Sequence, residues 1–323
     1  MVSEKPASPV FHVDLGKLMA GSKKLNKMTK STVHEAHAAF LFLIPAFVGL
    51  IVLTYGPLIA VFGLSFFDTG GLAFQPTFSG LLNYIRLLTE DPYFIDSIKV
   101  TAYFSLISVA GCMIYSLIVA MLLNRNIPAR GFFRSLFYLP YILPAVATFV
   151  GWSWLYDTNY GFFNYLLNLI GIQKIGFLSD SKMVMPSLAL IAVWQSGNLI
   201  VIFLAGLQSV PRDFHEAAEI DGANFLQRFR HITIPCMTPI IFYNLLMAII
   251  TNLQVVTPAM VLTQGGPGNS SRFLTYIMYQ YGFIQSHLGY ASAISFIFFI
   301  LVAILTGILF ATSKEWVFYT GDK

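Results

Sequence analysis

Two long apolar segments of this 323-residue chain contain neutral polar side chains that could bind a solute. They are Trp194, Gln195 and Asn198 in the first segment, and Thr251, Asn252 and Gln254 in the second. The spacing predicts that the first three share one stripe of a helix. Amides bind hydroxyl groups, and an indole face can stack on the C–H surface of a sugar ring. An unpaired amide is costly in lipid, so these groups should face a bundle interior, either bonded between helices or in contact with a solute.

Groups for other kinds of chemistry are missing from the sequence. The phosphate-binding pattern GxxxxGK[ST] does not occur, because Gly16-Lys17 is followed by Leu18. No Asp, Glu, Lys or Arg falls well inside an apolar segment, and a proton-coupled carrier or an intramembrane enzyme would need one. Cys112 and Cys236 offer neither a disulfide framework nor metal-ligand spacing. We therefore expect a chain that is not an enzyme and holds no metal or cofactor.

The composition indicates a membrane protein, because 56% of the residues are hydrophobic and only 11% are charged. Six apolar segments are each near or above the roughly 20 residues that span a bilayer. We predict an all-α polytopic protein with transmembrane helices at about 38–66, 97–123, 133–156, 186–208, 237–262 and 288–312. Prolines should bend the first helix near Pro45 and Pro57, and the third near Pro140 and Pro144.

Basic residues set the predicted orientation, since cytoplasmic loops carry an excess of Lys and Arg. Only five of the 19 Lys and Arg residues lie in the predicted outer segments: Arg86, Lys99, Lys174, Lys182 and Arg272. We therefore predict that both termini and the loop 209–236 are cytoplasmic. The net charge of +4 is spread over the loops and gives no indication of nucleic-acid binding.

The loop 209–236 is the only long polar interval in the second half of the chain. Pro211 and Asp213 suit the first turn of a helix, which Gly222 can end, and Asn224 can cap a second short helix. Pro235 and Pro239 should limit that second helix before the next apolar segment. The pattern predicts a charged helix–turn–helix tied to the membrane at both ends.

The same loop carries a spaced motif. Glu216-Ala217-Ala218 precedes Asp221-Gly222, and Ile232-x-Ile234-Pro235 follows after nine residues. This arrangement resembles the EAA coupling loop of importer-type ABC permeases, with Ile234 where Leu is commoner. The stretches from Leu262 to Ser270, which reads LTQGGPGNS, and from Phe137 to Trp152 also resemble the permeases that import sugars and oligosaccharides. The resemblance runs from about residue 40 to the C-terminus.

The resemblance implies an ABC importer permease fold and a role for each motif. Glu216, Ala217, Ala218, Asp221, Gly222, Ile232 and Pro235 would form the joint with a separate ATPase. The solute would pass the two spans that contain Trp194 and Asn252. Expected partners are a second homologous permease, two ATPase subunits that bind the ATP and Mg²⁺, an external solute-binding protein, and the lipid of a bacterial inner membrane.

The resulting organisation is a basic N-terminal tail at 1–37, a six-helix permease domain at 38–312 and a cytoplasmic C-terminal tail at 313–323. The first 37 residues lack the layout of a cleaved signal peptide and form either a solvated tail or a basic helix on anionic lipid. Outer segments 67–96 and 161–171 should each form a short amphipathic helix. The cargo stays open among sugars, polyols, glycerol phosphate and acidic oligosaccharides, and a secondary carrier is the less favoured alternative.

Overall fold

The computed structural model describes residues 30–70 and 75–318, and these are mostly helical. The α-helices are α1 Lys30–Gly49, α2 Gly56–Leu64, α3 Leu82–Thr89, α4 Phe94–Asn124, α5 Arg130–Ile142, α6 Ala145–Leu155, α7 Phe162–Leu169, α8 Val184–Trp194, α9 Gly197–Ser209, α10 Arg212–Ile220, α11 Phe225–Arg228, α12 Ile234–Leu253, α13 Leu274–Tyr279 and α14 Leu288–Trp316. Short π-helical turns are Leu50–Tyr55, Phe229–Thr233, Ala259–Thr263 and Gln280–Ile284. Two-residue strands β1 Phe67–Asp68 and β2 Thr77–Phe78 pair antiparallel.

Four helical stretches are long and apolar enough to cross a membrane: Ala38–Leu64, Phe94–Asn124, Phe225–Leu253 and Leu288–Trp316. Two further spans are formed if each bent pair counts as one. The α5–α6 pair bends by 98° and the α8–α9 pair by 49°. The predicted all-α, multi-span architecture is confirmed, and its count of six corresponds to treating each bent pair as one span.

The chain divides into a unit that ends at Ala60 and a unit that begins at Val61. The first unit contains α1, which runs through Pro45, and the π-helical turn Leu50–Tyr55. The predicted tail at 1–37 lies mostly outside the described residues, since the description begins at Lys30. The last five residues of the predicted C-terminal tail, 319–323, also lie outside it.

Helix α4 is the central element of the second unit, where it packs against α8, α9 and α12. A Cβ atom at Gly111 would lie 2.6 Å from Val193, so only glycine allows α8 to approach this closely. Buried clusters on both sides of α4 include Phe104 with Leu188, and Ala120 with Phe203. Small residues at helix contacts are typical of membrane bundles, where close backbone approach strengthens dispersion attraction.

Two predicted helices are wrong in extent, and the predicted bend of the third span is present. The fourth span, predicted as one helix, is interrupted at Gln195–Ser196, whereas the third bends at Leu143–Pro144, beside the predicted prolines. The helix predicted to reach residue 262 ends at Leu253, and a separate π-helical turn follows at Ala259–Thr263. Apolar composition continues across each break, so hydropathy alone did not reveal them, although Pro144 had indicated a bend in the third span.

The two predicted amphipathic helices of the outer loops are present as α3 and α7. Near the end of α3, the Asp91 carboxylate accepts four hydrogen bonds. Its Oδ1 accepts the backbone N–H groups of Tyr93 at 2.8 Å and Phe94 at 2.9 Å, at the start of α4. Its Oδ2 accepts the phenols of Tyr281 and Tyr290, each at 2.8 Å. Burial and the hydrogen bond to Asp91 raise the pKa of Tyr281, so this phenol stays a donor at neutral pH.

We predict that Asp91→Ala destabilises the protein by roughly 3 kcal/mol, because two phenols and two backbone donors lose a charged acceptor. Asp91→Asn should cost less, since its carbonyl oxygen can still cap α4. Thermal unfolding of the purified protein in detergent, followed by size-exclusion chromatography, measures both effects. An Asp91→Ala protein that melts at the wild-type temperature would show that the cluster adds nothing to stability.

Candidate solute pathway and coupling loop

A cavity of about 360 Å³ lies between α4, the α5–α6 bend, the α8–α9 bend and α12. Its polar lining comes from Gln195, Ser196, Asn198, Thr251 and Asn252. The rest of the wall is apolar or aromatic, and none of the lining residues is Asp, Glu, Lys or Arg. The cavity can therefore offer hydrogen bonds and apolar surface to a solute, but this wall supplies no charge to bind an ion.

The interruption of the fourth span is held by neighbouring helices. The hydroxyl of Ser116 in α4 lies 2.9 Å from the hydroxyl of Ser196, and both side chains are buried. Gly197 begins α9 directly against the backbone of α5, where an added Cβ would lie 2.8 Å from the Phe137 carbonyl oxygen. The side chain of Asn244 donates to the Leu199 carbonyl at 3.2 Å. These contacts fix the break beside the cavity.

The structure brings four of the six predicted pathway residues to this cavity and leaves two elsewhere. Gln195, Asn198, Thr251 and Asn252 line it. Trp194 instead packs edge-on against Trp152, with ring centroids 5.5 Å apart. Gln254 lines a different cavity, beside α13 and α14. The predicted stripe of Trp194, Gln195 and Asn198 assumed one continuous helix, and the break after α8 rotates Trp194 away.

The third span contributes cavity residues that the sequence analysis did not identify. Tyr141, Leu143, Ala145 and Phe149 flank the 98° bend between α5 and α6 and line the opposite wall. The available signal was the pair Pro140 and Pro144, which indicated a bend but not which side chains it would turn inward. Proline lacks the N–H that would continue the helical ladder, so the chain turns at that point.

The coupling loop, residues 209–236, forms the predicted helix–turn–helix. Helix α10 ends at Ile220, and the turn that follows contains Gly222, which has φ of +79°; the Ala223 N–H donates to the Ala218 carbonyl at 2.8 Å. The Asn224 side chain accepts the Gln227 N–H at 2.9 Å, while the Gln227 side chain accepts the Asn224 N–H at 2.8 Å. This reciprocal capping box confirms the predicted cap at Asn224.

A salt bridge joins the two helices of the loop, since Arg228 Nη1 lies 3.0 Å from Glu219 Oε2. The guanidinium of Arg125, just after α4, lies 5.9 Å from the centroid of the Phe225 ring. Ile232 packs into the buried cluster around Phe203, Met237 and neighbouring residues. The loop is thus braced internally and attached to the bundle at two points.

The outer surface of the loop is exposed. Glu216, Ala217, Asp221 and Gly222 are exposed, and Ala218 is half-buried. Ile220 is 88% exposed. Of the predicted coupling residues, only Ile232 and Pro235 turn partly inward, toward the bundle.

Pro235 does not end the second helix, contrary to the prediction. Helix α11 continues through the π-helical turn Phe229–Thr233 into α12, and Pro235 lies near the start of α12. The turn before it is widened, since the Ile234 N–H bonds to the Phe229 carbonyl, and this π-helical turn accommodates a residue that has no N–H. Pro239, which was also predicted to limit the second helix, lies inside α12. One helical stretch, Phe225–Leu253, therefore joins the coupling loop to the cavity residues Thr251 and Asn252.

The fold and the loop define a class of protein, and the comparison with known families agrees. The chain belongs to the family described as binding-protein-dependent transport system inner membrane component, which matches residues 113–317. It is therefore a multi-pass membrane permease of the ABC importer type.

Among individual proteins, the chain is 36% identical to the probable ABC transporter permease protein YesP of Bacillus subtilis, over 92% of this chain and 97% of that protein. It is 30% identical to the trehalose/maltose transport system permease protein MalF of Thermococcus litoralis, over 87% and 95% of the two chains. The fold is similar to a chain of a bacterial ABC transporter that imports the acidic polysaccharide alginate. That match has a TM-score of 0.78 at 21% identity and covers 88% of this chain and 98% of the other.

The contact of Gly197 with α5 generates a stability prediction. Gly197→Ala should destabilise the protein by about 1–3 kcal/mol, because the new methyl group would overlap the α5 backbone. Gly151→Ala, in α6, is a matched control, since an added Cβ there meets nothing within 4 Å. The control should be neutral or slightly stabilising in a thermal unfolding experiment. Equal melting temperatures for the two variants would contradict the tight packing at the break.

Proposed function

We propose that this chain is one of two permease subunits of an ATP-driven importer of sugars or oligosaccharides. The observation that carries the proposal is the continuous helical stretch Phe225–Leu253, which joins an exposed coupling loop to an uncharged polar cavity. Energy enters at the loop, and the solute passes the cavity. The family, which is binding-protein-dependent, supports a solute-binding protein as the partner that delivers the cargo.

The cavity chemistry supports a cargo rich in hydroxyl groups. Gln195, Asn198, Thr251 and Asn252 provide both donors and acceptors, and Tyr141 and Phe149 provide ring faces. Relatives with named cargo include a trehalose/maltose permease, which agrees with a neutral sugar. The alginate importer of similar fold keeps acidic oligosaccharides among the alternatives, together with polyols and glycerol phosphate. The uncharged wall favours the neutral cargo, although a second permease would supply the other half of the lining.

Coupling to the ATPase would use the exposed side of α10. Ala217 and Ala218 leave room for close backbone approach, and the exposed Glu216 carboxylate offers a charged acceptor to a basic side chain of the ATPase. The Glu219–Arg228 salt bridge and the capping box hold α10 against α11, so a push on α10 moves both. The motion then reaches Thr251 and Asn252 through α12. In one end state the cavity is open to the outside, and in the other it is open to the cytoplasm.

The proposed assembly contains this chain, a second homologous permease and two ATPase subunits in a bacterial inner membrane. Both termini and the coupling loop face the cytoplasm, as the distribution of Lys and Arg indicates. ATP and Mg²⁺ bind to the ATPase subunits, and this chain carries no cofactor of its own. A secondary carrier remains the alternative, and it would need neither the exposed loop nor the ATPase.

Substitutions in the cavity test the solute pathway. We predict that Asn252→Ala and Gln195→Ala raise the apparent KM for the transported sugar several-fold, because each removes a hydrogen-bonding amide from the cavity wall. Gln254→Ala is the matched control, since it removes an amide from a helix end outside this cavity. Uptake into cells or proteoliposomes measures the KM of each variant. If the control shifts the KM as much as the two cavity variants, the cavity is not the pathway.

Substitution of Glu216 tests the coupling loop. Glu216→Ala should abolish transport and loosen the ATPase, while the protein still inserts into the membrane, because only an exposed carboxylate is lost. Purification from gently solubilised membranes followed by mass spectrometry measures retention of the ATPase and of the second permease. Glu90→Ala, an acidic residue on the opposite side of the membrane, should retain both partners and full uptake. Normal uptake in Glu216→Ala would contradict the assigned role of this residue.

A further inference from the structure

Helix α7, Phe162–Leu169, buries Asn164, whereas its exposed side chains are mostly apolar, with Asn168 as the exposed amide. Asn164 is buried, and its side chain donates to the carbonyls of Asp157, Thr158 and Ile175 and accepts the Ile175 N–H at 2.8 Å. Phe163 packs beside it, with ring centroids 5.8 Å from Trp152 and 5.5 Å from Tyr156. The inner face of α7 is therefore fixed against the bundle.

The outer face of α7 is apolar and uncovered in the second unit. Phe162, Tyr165, Leu166 and Leu169 follow the spacing i, i+3, i+4 and i+7, so they share one side of the helix. Their exposed fractions are 51%, 61%, 42% and 64%. No charged residue occurs between Asp157 and Lys174. A helix that faced water would carry polar side chains on this stripe, so a nonaqueous environment must cover it.

The position of α7 in the chain indicates what covers its apolar face. The helix begins only seven residues after α6 ends at Leu155, so in the proposed orientation it lies at the outer boundary of the membrane. Asp157 marks the polar side of that boundary, because the N–H groups of Tyr160 and Asn159 lower the pKa of its carboxyl and keep it charged. Tyr and Trp are the side chains enriched at membrane–water interfaces.

Exposed apolar side chains also occur on α6, the helix that precedes α7 in the chain. Val146, Val150 and Trp154 recur every four residues along α6, and their exposed fractions are 59%, 48% and 77%. Trp154 lies in the last turn of α6, and the exposed Tyr160 follows in the connection to α7. Along the sequence, the exposed apolar side chains of α6 are thus followed by two exposed aromatic residues and then by the apolar face of α7.

We propose that α7 is an interfacial helix whose outer face binds the lipid of the outer leaflet, at the level of the headgroups and the first acyl carbons. The apolar stripe inserts, while Asp157 and Lys174 stay at the aqueous side. Because Phe163 packs against Trp152 and Tyr156 at the end of the third span, the lipid contact would fix the depth of that span, whose bend lines the cavity.

Spin labels test the proposal in the complete transporter, purified with its partner subunits and placed in nanodiscs of phosphatidylethanolamine and phosphatidylglycerol. Cys236 is replaced by alanine, while Cys112 is 3% exposed and should escape the label, which the unmodified background verifies. Labels are placed by Leu166→Cys and Leu169→Cys. Power saturation with dissolved oxygen, which concentrates in lipid, and with a water-soluble nickel chelate reports the surroundings of each label.

Matched controls define the two reference environments. Lys182→Cys lies on the exposed aqueous loop before α8, and Ile304→Cys lies at a 56% exposed position within α14. We expect the oxygen-to-nickel collision ratio at positions 166 and 169 to exceed that at 182 several-fold and to approach that at 304. A collision ratio equal to that at position 182 would overturn the proposal, because the face of α7 would then be in contact with water.

Low collision rates with both reagents would overturn it as well, because a protein partner would then cover the face. If a label at 169 disturbs folding, Tyr165→Cys reports from the same stripe.

Discussion

The structure depends on one constraint: a backbone that is interrupted inside a membrane must find new partners for its polar groups. Two spans of this chain break, at Leu143–Pro144 and at Gln195–Ser196, and both breaks border the same cavity. Buried Ser116 supports the second break, and Gly197 lets α9 lie directly on α5. The second break is surrounded by protein, since Ser196 and Gly197 are buried, and it presents Gln195 and Asn198 to the cavity, whereas Leu143 and Pro144 at the first break are exposed.

A second consequence concerns the transmission of motion. The coupling loop is folded around Gly222 and stabilised by the capping box at Asn224 and the Glu219–Arg228 pair. From Phe225 the chain continues as helix to Leu253, through a π-helical turn. A stretch of 29 residues spans roughly 40 Å, which is comparable to the thickness of a bilayer with its headgroups. Displacement of the loop would thus move one side of the cavity without passing through flexible chain.

Much of this arrangement could be predicted from the sequence, because hydropathy, capping and turn residues act locally. The helical membrane fold, the turn at Gly222, the cap at Asn224 and the outer helices α3 and α7 all follow from neighbouring residues. The break at Gln195–Ser196 depends instead on contacts between distant segments, such as Ser116 with Ser196, and no local pattern encodes it, whereas prolines did indicate the bend of the third span. For the same reason, the sequence predicted that Trp194 shares a helix stripe with Gln195 and Asn198, whereas in the structure Trp194 packs against Trp152.

The tolerance of Pro235 shows a similar limit. Proline usually ends a helix, but Pro235 follows a π-helical turn that accommodates its missing N–H, and the helix from the loop continues into α12. Whether a proline stops or joins two helices depends on the geometry of the preceding turn, here a π-helical turn at Phe229–Thr233. That geometry decides whether the loop is hinged to the membrane domain or continuous with it.

Uptake by the reconstituted transporter tests the central claim most directly. Proteoliposomes would contain this chain with its co-purified partners, and the loaded solute-binding protein with radiolabelled sugar would be added outside. The account predicts accumulation that requires ATP inside the vesicles and the binding protein outside, and that a proton gradient alone does not support. Accumulation driven by an ion gradient in the absence of ATP would contradict the account and identify the chain as a secondary carrier.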